Sequence, residues 1–152
     1  ADVPACLARA PVNVSGAGEA LSPGPVLPPL WATLVNPRVT MPTGPVFRAF
    51  DDAEPSPEKP RCVAMPVADY ASLTRLMRET RNDLEPFAIA RAPVIRRVID
   101  QLGVEPGALA ARMSGSGATC FALFASAAGA RRAANRALAS GWWAMASALH
   151  VR

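Results

Sequence analysis

The chain has 152 residues, 51% of them hydrophobic and only 18% charged, which fits one domain with a buried core and excludes a disordered or low-complexity chain. The net charge of +4 comes from 16 basic and 12 acidic residues, and every basic residue but Lys59 is an arginine. The charges are scattered without a run of five of one sign, so a nucleic-acid surface is weakly supported and a site for an anionic small molecule accounts for the charge equally well.

Val3 to Ala10 is apolar enough for a strand or a buried loop, and Pro11 to Val14 continues extended. Gly16-Ala17-Gly18-Glu19 reads as a turn, and Ser22 to Pro25 with Pro28-Pro29 as loop. Leu30 to Val35 is the first clear strand, stopped by Asn36-Pro37. Thr43 is expected to cap a short helix through Phe50, with Pro45 in its first turn. Residues 51–66 are rich in proline and acids and form the expected mobile segment. Asp69 caps a helix whose apolar face is Tyr70, Leu73, Leu76 and Met77, and Asn82 is expected to cap the next one. Pro93 interrupts that helix, which resumes along Val94, Ile95, Val98, Ile99 and Leu102 to Gly103. Ala108 to Met113 and Thr119 to Phe124 are expected strands around the turn Ser114-Gly115-Ser116-Gly117. Ser126 caps an Ala-rich helix to about Ala139 whose arginines face out, Gly141 stops it, and Trp142 to Leu149 is the last strand. The order strand, helices, strand, strand, helix, strand is a split βαβ pattern. The expected fold is α+β, a four-stranded antiparallel sheet with helices on one face, of the ferredoxin-like kind.

The three cysteines, Cys6, Cys62 and Cys120, match neither a zinc site nor a CxxC pair; Cys6 and Cys120 sit in apolar context and read as buried thiols, which suggests a reducing compartment. No stretch reaches the ~18 apolar residues of a membrane span, and no basic region precedes an apolar one at the start, so the expected location is cytoplasmic. The chain opens on Ala1-Asp2-Val3-Pro4, and the expectation is a piece of something longer. His150 is assigned no role. The glycine turn is too short of glycines, and too close to the next strand, for a dinucleotide fingerprint. Small residues and backbone N–H groups there suit an anion.

Six stretches coincide in order: Ala1-Asp2-Val3-Pro4, Gly16-Ala17-Gly18-Glu19, Leu34-Val35-Asn36-Pro37, Thr43 with Val46-Phe47, Asn82-Asp83-Leu84-Glu85, and Met113 to Phe121. Together they resemble the C-terminal half of the 4-diphosphocytidyl-2-C-methyl-D-erythritol kinases, a family within the GHMP superfamily of galactokinase, homoserine, mevalonate and phosphomevalonate kinases. The resemblance implies two regions: residues 1–25 as a remnant of an N-terminal kinase domain, and residues 26–152 as the GHMP C-terminal, substrate-binding domain. It implies transfer of the γ-phosphate of ATP, with Mg²⁺, to the 2-hydroxyl of the cytidyl substrate in non-mevalonate isoprenoid synthesis. The lysine and phosphate loop would lie in a missing N-terminal half, so the chain alone is expected to be inactive, and its uncovered face to favour self-association.

Residue by residue, Asp2 would act at the attacking hydroxyl, where a carboxylate accepts the proton and orients the oxygen. Thr43 would contact the methylerythritol moiety, Phe47 would stack on the cytosine ring, and Ala17 would line the substrate side. Gly115, Ser116 and Gly117 would lie near the transferred phosphate. The bland readings are a frayed terminus for Asp2, a helix cap for Thr43 and core packing for Phe47. Two alternatives stand beside this: a stand-alone ferredoxin-like module for a small ligand or RNA, and another GHMP kinase. The sheet lacks the aromatic and basic signature of an RNA-recognition fold.

Overall fold

The computed structural model describes residues 3–16, 18–53 and 67–149. Its elements in order are α1 (Val3–Ala8), β1 (Val12–Ser15), β2 (Ala20–Pro23), β3 (Trp31–Asn36), α2 (Thr43–Asp52), α3 (Tyr70–Glu79), α4 (Glu85–Arg91), α5 (Val94–Gly103), β4 (Ala108–Met113), β5 (Cys120–Phe124), α6 (Ala127–Ala139) and β6 (Trp143–Ala148). Most of the expected segment 51–66 lies outside the described residues; its first three, Asp51 to Ala53, finish α2 and its turn.

Two expectations for the opening stretch are corrected. Val3–Ala8 is a helix, not a strand or loop, and none of its residues is buried, so Cys6 is exposed and not the buried thiol expected. Over six apolar residues the helical and extended periods cannot be told apart, and Pro4 in the first turn followed by Ala and Leu favours the helix. Ala20–Pro23 is a strand, so Ser22 and Pro23 lie in a strand where loop was expected, and it pairs antiparallel with β1 so that Val14 faces Leu21. Pro23 is tolerated because it ends a strand in a two-stranded sheet, where no further ladder bond is asked of it.

The second sheet is the expected one: four antiparallel strands in the order β4-β5-β3-β6. With β3 counted as the first strand, that is the ferredoxin-like arrangement. Alternation decides its two faces. Val35, Cys120, Ala122 and Phe124 join Ile95, Val98 and Leu102 of α5 and Ala130, Ala133 and Ala137 of α6 in one core. Apolar residues of α5 recur at one turn's spacing, and the α6 alanines let that helix lie close to the sheet. Gly129 marks the closest approach, for a Cβ there would sit 2.9 Å from the Phe124 ring. Thr33, fully buried on this face, donates its hydroxyl to Ala130 O at 2.8 Å, so it is no orphan.

The other face is covered in part by α3. Leu73 packs with Ala32 and Leu123, joined by Tyr70, Leu76, Met77 and Phe121 at the margin. Asp69 starts α3 as expected, accepting from Ser72 N–H at 2.7 Å while Ser72 Oγ accepts from Asp69 N–H at 3.1 Å. The Ser72 backbone N–H first, and then the Ser72 hydroxyl, which donates to Asp69 Oδ1 at 2.7 Å, hold the Asp69 carboxyl below its ordinary value. Ser126 caps α6 through Gly129 N–H at 3.2 Å. The α6 arginines do more than face solvent. Arg136 Nε meets the buried Glu105 carboxylate at 3.0 Å, and the Arg131 guanidinium lies 5.9 Å from the Trp31 ring centre.

Candidate functional site

The turn 114–119 joins β4 to β5 and stands at one end of the sheet. Ser114 N–H donates to Thr119 O at 2.9 Å and Gly117 N–H to Ser114 O at 3.0 Å. Gly115 has φ +55° and Gly117 φ +88°, and a Cβ on Gly117 would meet Met113 Sδ at 2.7 Å, so glycine at 117 is required by both backbone and space.

Three of the other stretches singled out in the sequence converge on this turn from positions far apart in the chain. Asn36 donates to Thr119 Oγ1 at 3.0 Å, and its Oδ1 accepts from Arg38 N–H at 2.7 Å, fixing the chain as it leaves β3. Thr43 Oγ1 lies 3.0 Å from Ser116 Oγ. Asn82 donates to Met113 O at 3.1 Å and Gly115 O at 2.8 Å, and Met113 N–H donates to Glu85 Oε2 at 3.1 Å. Thr43 is therefore not the cap of α2. Pro42 holds that position without a side-chain cap bond, and the Thr43 hydroxyl is spent on the loop. Asn82 is not a simple cap of α4 either: Leu84 takes that position, and the Asn82 amide reaches across to β4.

Beside the turn lies an open groove of about 610 Å³. Phe47 and Phe50 of α2 form one wall, and Arg81, Arg112 and Gly115 contribute to the rest. Phe47 is 46% exposed, while Phe50 is held edge-on to Phe87 at 5.8 Å between ring centres. One aromatic thus braces α2 and the next presents a free face. The half-buried Arg112 guanidinium donates to Met77 O and Thr80 O, closing the C-terminal end of α3. Desolvation lowers its pKa, against the pull of Glu85. Cys120, just beyond the turn, is pushed up to about 12 by burial and then by Glu85, which makes it an inert packing thiol.

The structure thus brings Phe47 and Gly115 into one groove, with Thr43 and Ser116 joined beside it and Gly117 in the same turn. Asp2 and Ala17 lie outside the described residues. Sequence reasoning missed Asn36 and Arg112 as parts of this region. A lone arginine in a strand of otherwise apolar residues was the available signal for the second.

Residues 63–141 match the family described as GHMP kinases C terminal. The chain belongs to that family. It is 48% identical to a 4-diphosphocytidyl-2-C-methyl-D-erythritol kinase of Cereibacter sphaeroides over 94% of this chain and 52% of the relative, and 44% identical to one of Paramagnetospirillum magneticum over 94% and 50%. The chain therefore spans about half the length of the curated relatives it matches. A crystal structure of a 4-(cytidine 5′-diphospho)-2C-methyl-D-erythritol kinase superposes with a TM-score of 0.72 at 31% identity, covering 99% of this chain and 53% of that one. A homoserine kinase from Cytophaga hutchinsonii shares the fold at TM-score 0.65 and 22% identity, covering 92% and 48%. Among the described residues no helix is long and apolar enough to cross a membrane.

Proposed function

We propose that the chain is the substrate-binding half of an ATP-dependent kinase that phosphorylates the 2-hydroxyl of 4-diphosphocytidyl-2-C-methyl-D-erythritol in the cytoplasm. The observation that carries this is Phe47: a half-exposed aromatic on the wall of a groove that also takes in a glycine turn tied to Thr43 and Asn82 by side-chain hydrogen bonds. A flat exposed ring suits a nucleobase, and a turn with open N–H groups suits phosphate. Relatives named for that substrate support the same assignment.

In this proposal residues 1–25 belong with an N-terminal kinase half and residues 26–152 form the substrate domain. The separate pairing of β1 with β2 supports the division. Thr43 contacts the methylerythritol moiety, Phe47 stacks on cytosine, Ala17 lines the substrate side, and Gly115 to Gly117 sit by the transferred phosphate. Asp2 accepts the hydroxyl proton. Mg²⁺ does not fit the described residues: among them no group of three or more His, Cys, Asp or Glu stands together. Here the metal belongs with ATP on the missing half, and no step is assigned to it within this chain. The face that would meet that half is a candidate for self-association when the chain is alone.

The test is ATP-dependent phosphate transfer by the full-length protein, with the cytidyl alcohol, homoserine and mevalonate offered as acceptors. The expected result is transfer to the cytidyl alcohol, and none by the 152-residue chain alone. Preference for homoserine or mevalonate would overturn the substrate assignment.

A further inference from the structure

The turn 114–119 has little to hold it from within. Ser114 and Gly115 are exposed, no residue before Ala118 is buried, and the two backbone bonds across the turn are its only internal ties among the described residues. Neither the Gly115 nor the Ser116 N–H is donated to an acceptor among those residues. Such a turn wanders unless something outside grips it.

Asn82 does so with its side-chain amide nitrogen, while its oxygens anchor it in the 82–85 connection. Nδ2 donates to Gly115 O at 2.8 Å and Met113 O at 3.1 Å, Oδ1 accepts from Leu84 N–H at 3.1 Å, and its own carbonyl accepts from Glu85 N–H at 3.0 Å. In a trans peptide the carbonyl and the following N–H point to opposite sides. Holding the Gly115 carbonyl against Asn82 therefore turns the Ser116 N–H away from the 80–84 connection. Holding the Met113 carbonyl there turns the Ser114 N–H away in the same sense, and it closes the turn on Thr119 O. Glu85 adds a second grip at Met113 N–H.

We propose that Asn82 is the positioning residue of the glycine turn: it sets which way the open Ser116 N–H faces and fixes the turn across the groove from Phe47. It acts through the turn and touches no reacting atom. The proposal rests on the kinase reading above, in which that turn lies by the transferred phosphate. No neighbouring residue type serves as well. Aspartate keeps the Leu84 bond but loses both donors and sets an anion against two carbonyl oxygens; alanine loses all three bonds.

The test pairs amide hydrogen exchange with kinetics on Asn82→Asp and Asn82→Ala. In both variants of the full-length protein the Ser114 and Gly117 amides exchange at least about tenfold faster than in the wild type, while those of β5 and α6 keep their rates. On the cytidyl alcohol kcat falls about 100-fold and KM stays within about threefold, because the turn acts on the developing charge and not on ground-state binding. Unchanged exchange at Ser114 and Gly117, or a loss confined to KM, overturns the proposal. Faster exchange throughout β5 and α6 marks a folding residue and overturns it too. If the wild-type protein leaves the cytidyl alcohol unphosphorylated, the kinase reading falls, and the exchange rates still decide whether Asn82 holds the turn.

Discussion

On one face of the four-stranded sheet Val35, Cys120, Ala122 and Phe124 are each at most 1% exposed beneath α5 and α6; on the other, Met145 is 47% exposed and Trp143 39%. The faces alternate along adjacent strands: Val35 and Leu34 are neighbours in β3, and Leu34 pairs with Phe121 of β5 on one side and Met145 of β6 on the other. The first face carries the cohesion of the domain. The second is covered by α3 near β4, and its groove beside Phe47 and the glycine turn stays open. One alternating pattern thus supplies a rigid support and a surface free to take a ligand.

The comparison breaks most visibly by cutting into each face in turn. Phe124→Ala should cost about 3–5 kcal/mol in urea unfolding, because a ring packed against Gly129 and the α5 side chains leaves a cavity. Met145→Ser, on the other face, should change stability by less than about 0.5 kcal/mol. Equal losses from the two would mean that both faces carry the fold.

The same buried face should show in the pH dependence. Cys120 has its pKa raised from 9.0 to about 12, so the folded chain keeps a proton that the unfolded chain releases. Its contribution is full below pH 9 and is lost as pH rises from there toward 12, on the order of 3–4 kcal/mol across the window. The midpoint of unfolding should fall over that range, and Cys120→Ala should flatten the fall. A thiol reagent at pH 8 should modify the exposed Cys6 and spare Cys120.

Next comes the ion pair that fastens the helix layer. Arg136→Met leaves the Glu105 carboxylate buried without its partner and should cost about 2–3 kcal/mol, less than a fully enclosed pair because Arg136 itself is largely exposed. A smaller loss than the ion pair's belongs to the helix on the second face: Asp69→Ala removes the α3 cap and should cost about 1 kcal/mol by the same unfolding measurement.

The caps at Asp69 and Ser126, the break at Pro93 and all four strands of the main sheet were legible because each depends on neighbours in sequence. What was not legible depends on distant partners. Thr43 looks like a cap from its own surroundings, yet its hydroxyl meets Ser116, 73 positions on. Asn82 opens its stretch as an N-cap would, yet its donors go to carbonyls 31 and 33 residues away. Placement of α3 on the face opposite α5 and α6 was hidden as well, because an amphipathic helix shows that it has a buried side and not which side of a sheet receives it. The short helix Val3–Ala8 escaped for the opposite reason: too few residues to establish a period.

If Phe47 is exposed in order to be stacked upon, one set of kinetics shows it most directly. In the full-length protein Phe47→Ala should raise KM for the cytidyl alcohol by about 10–100-fold, the loss of one base–aromatic stack, while leaving thermal unfolding nearly unchanged, and Phe47→Tyr should restore most of the affinity. A Phe47→Ala protein with wild-type KM would contradict the account and leave the groove without its ligand.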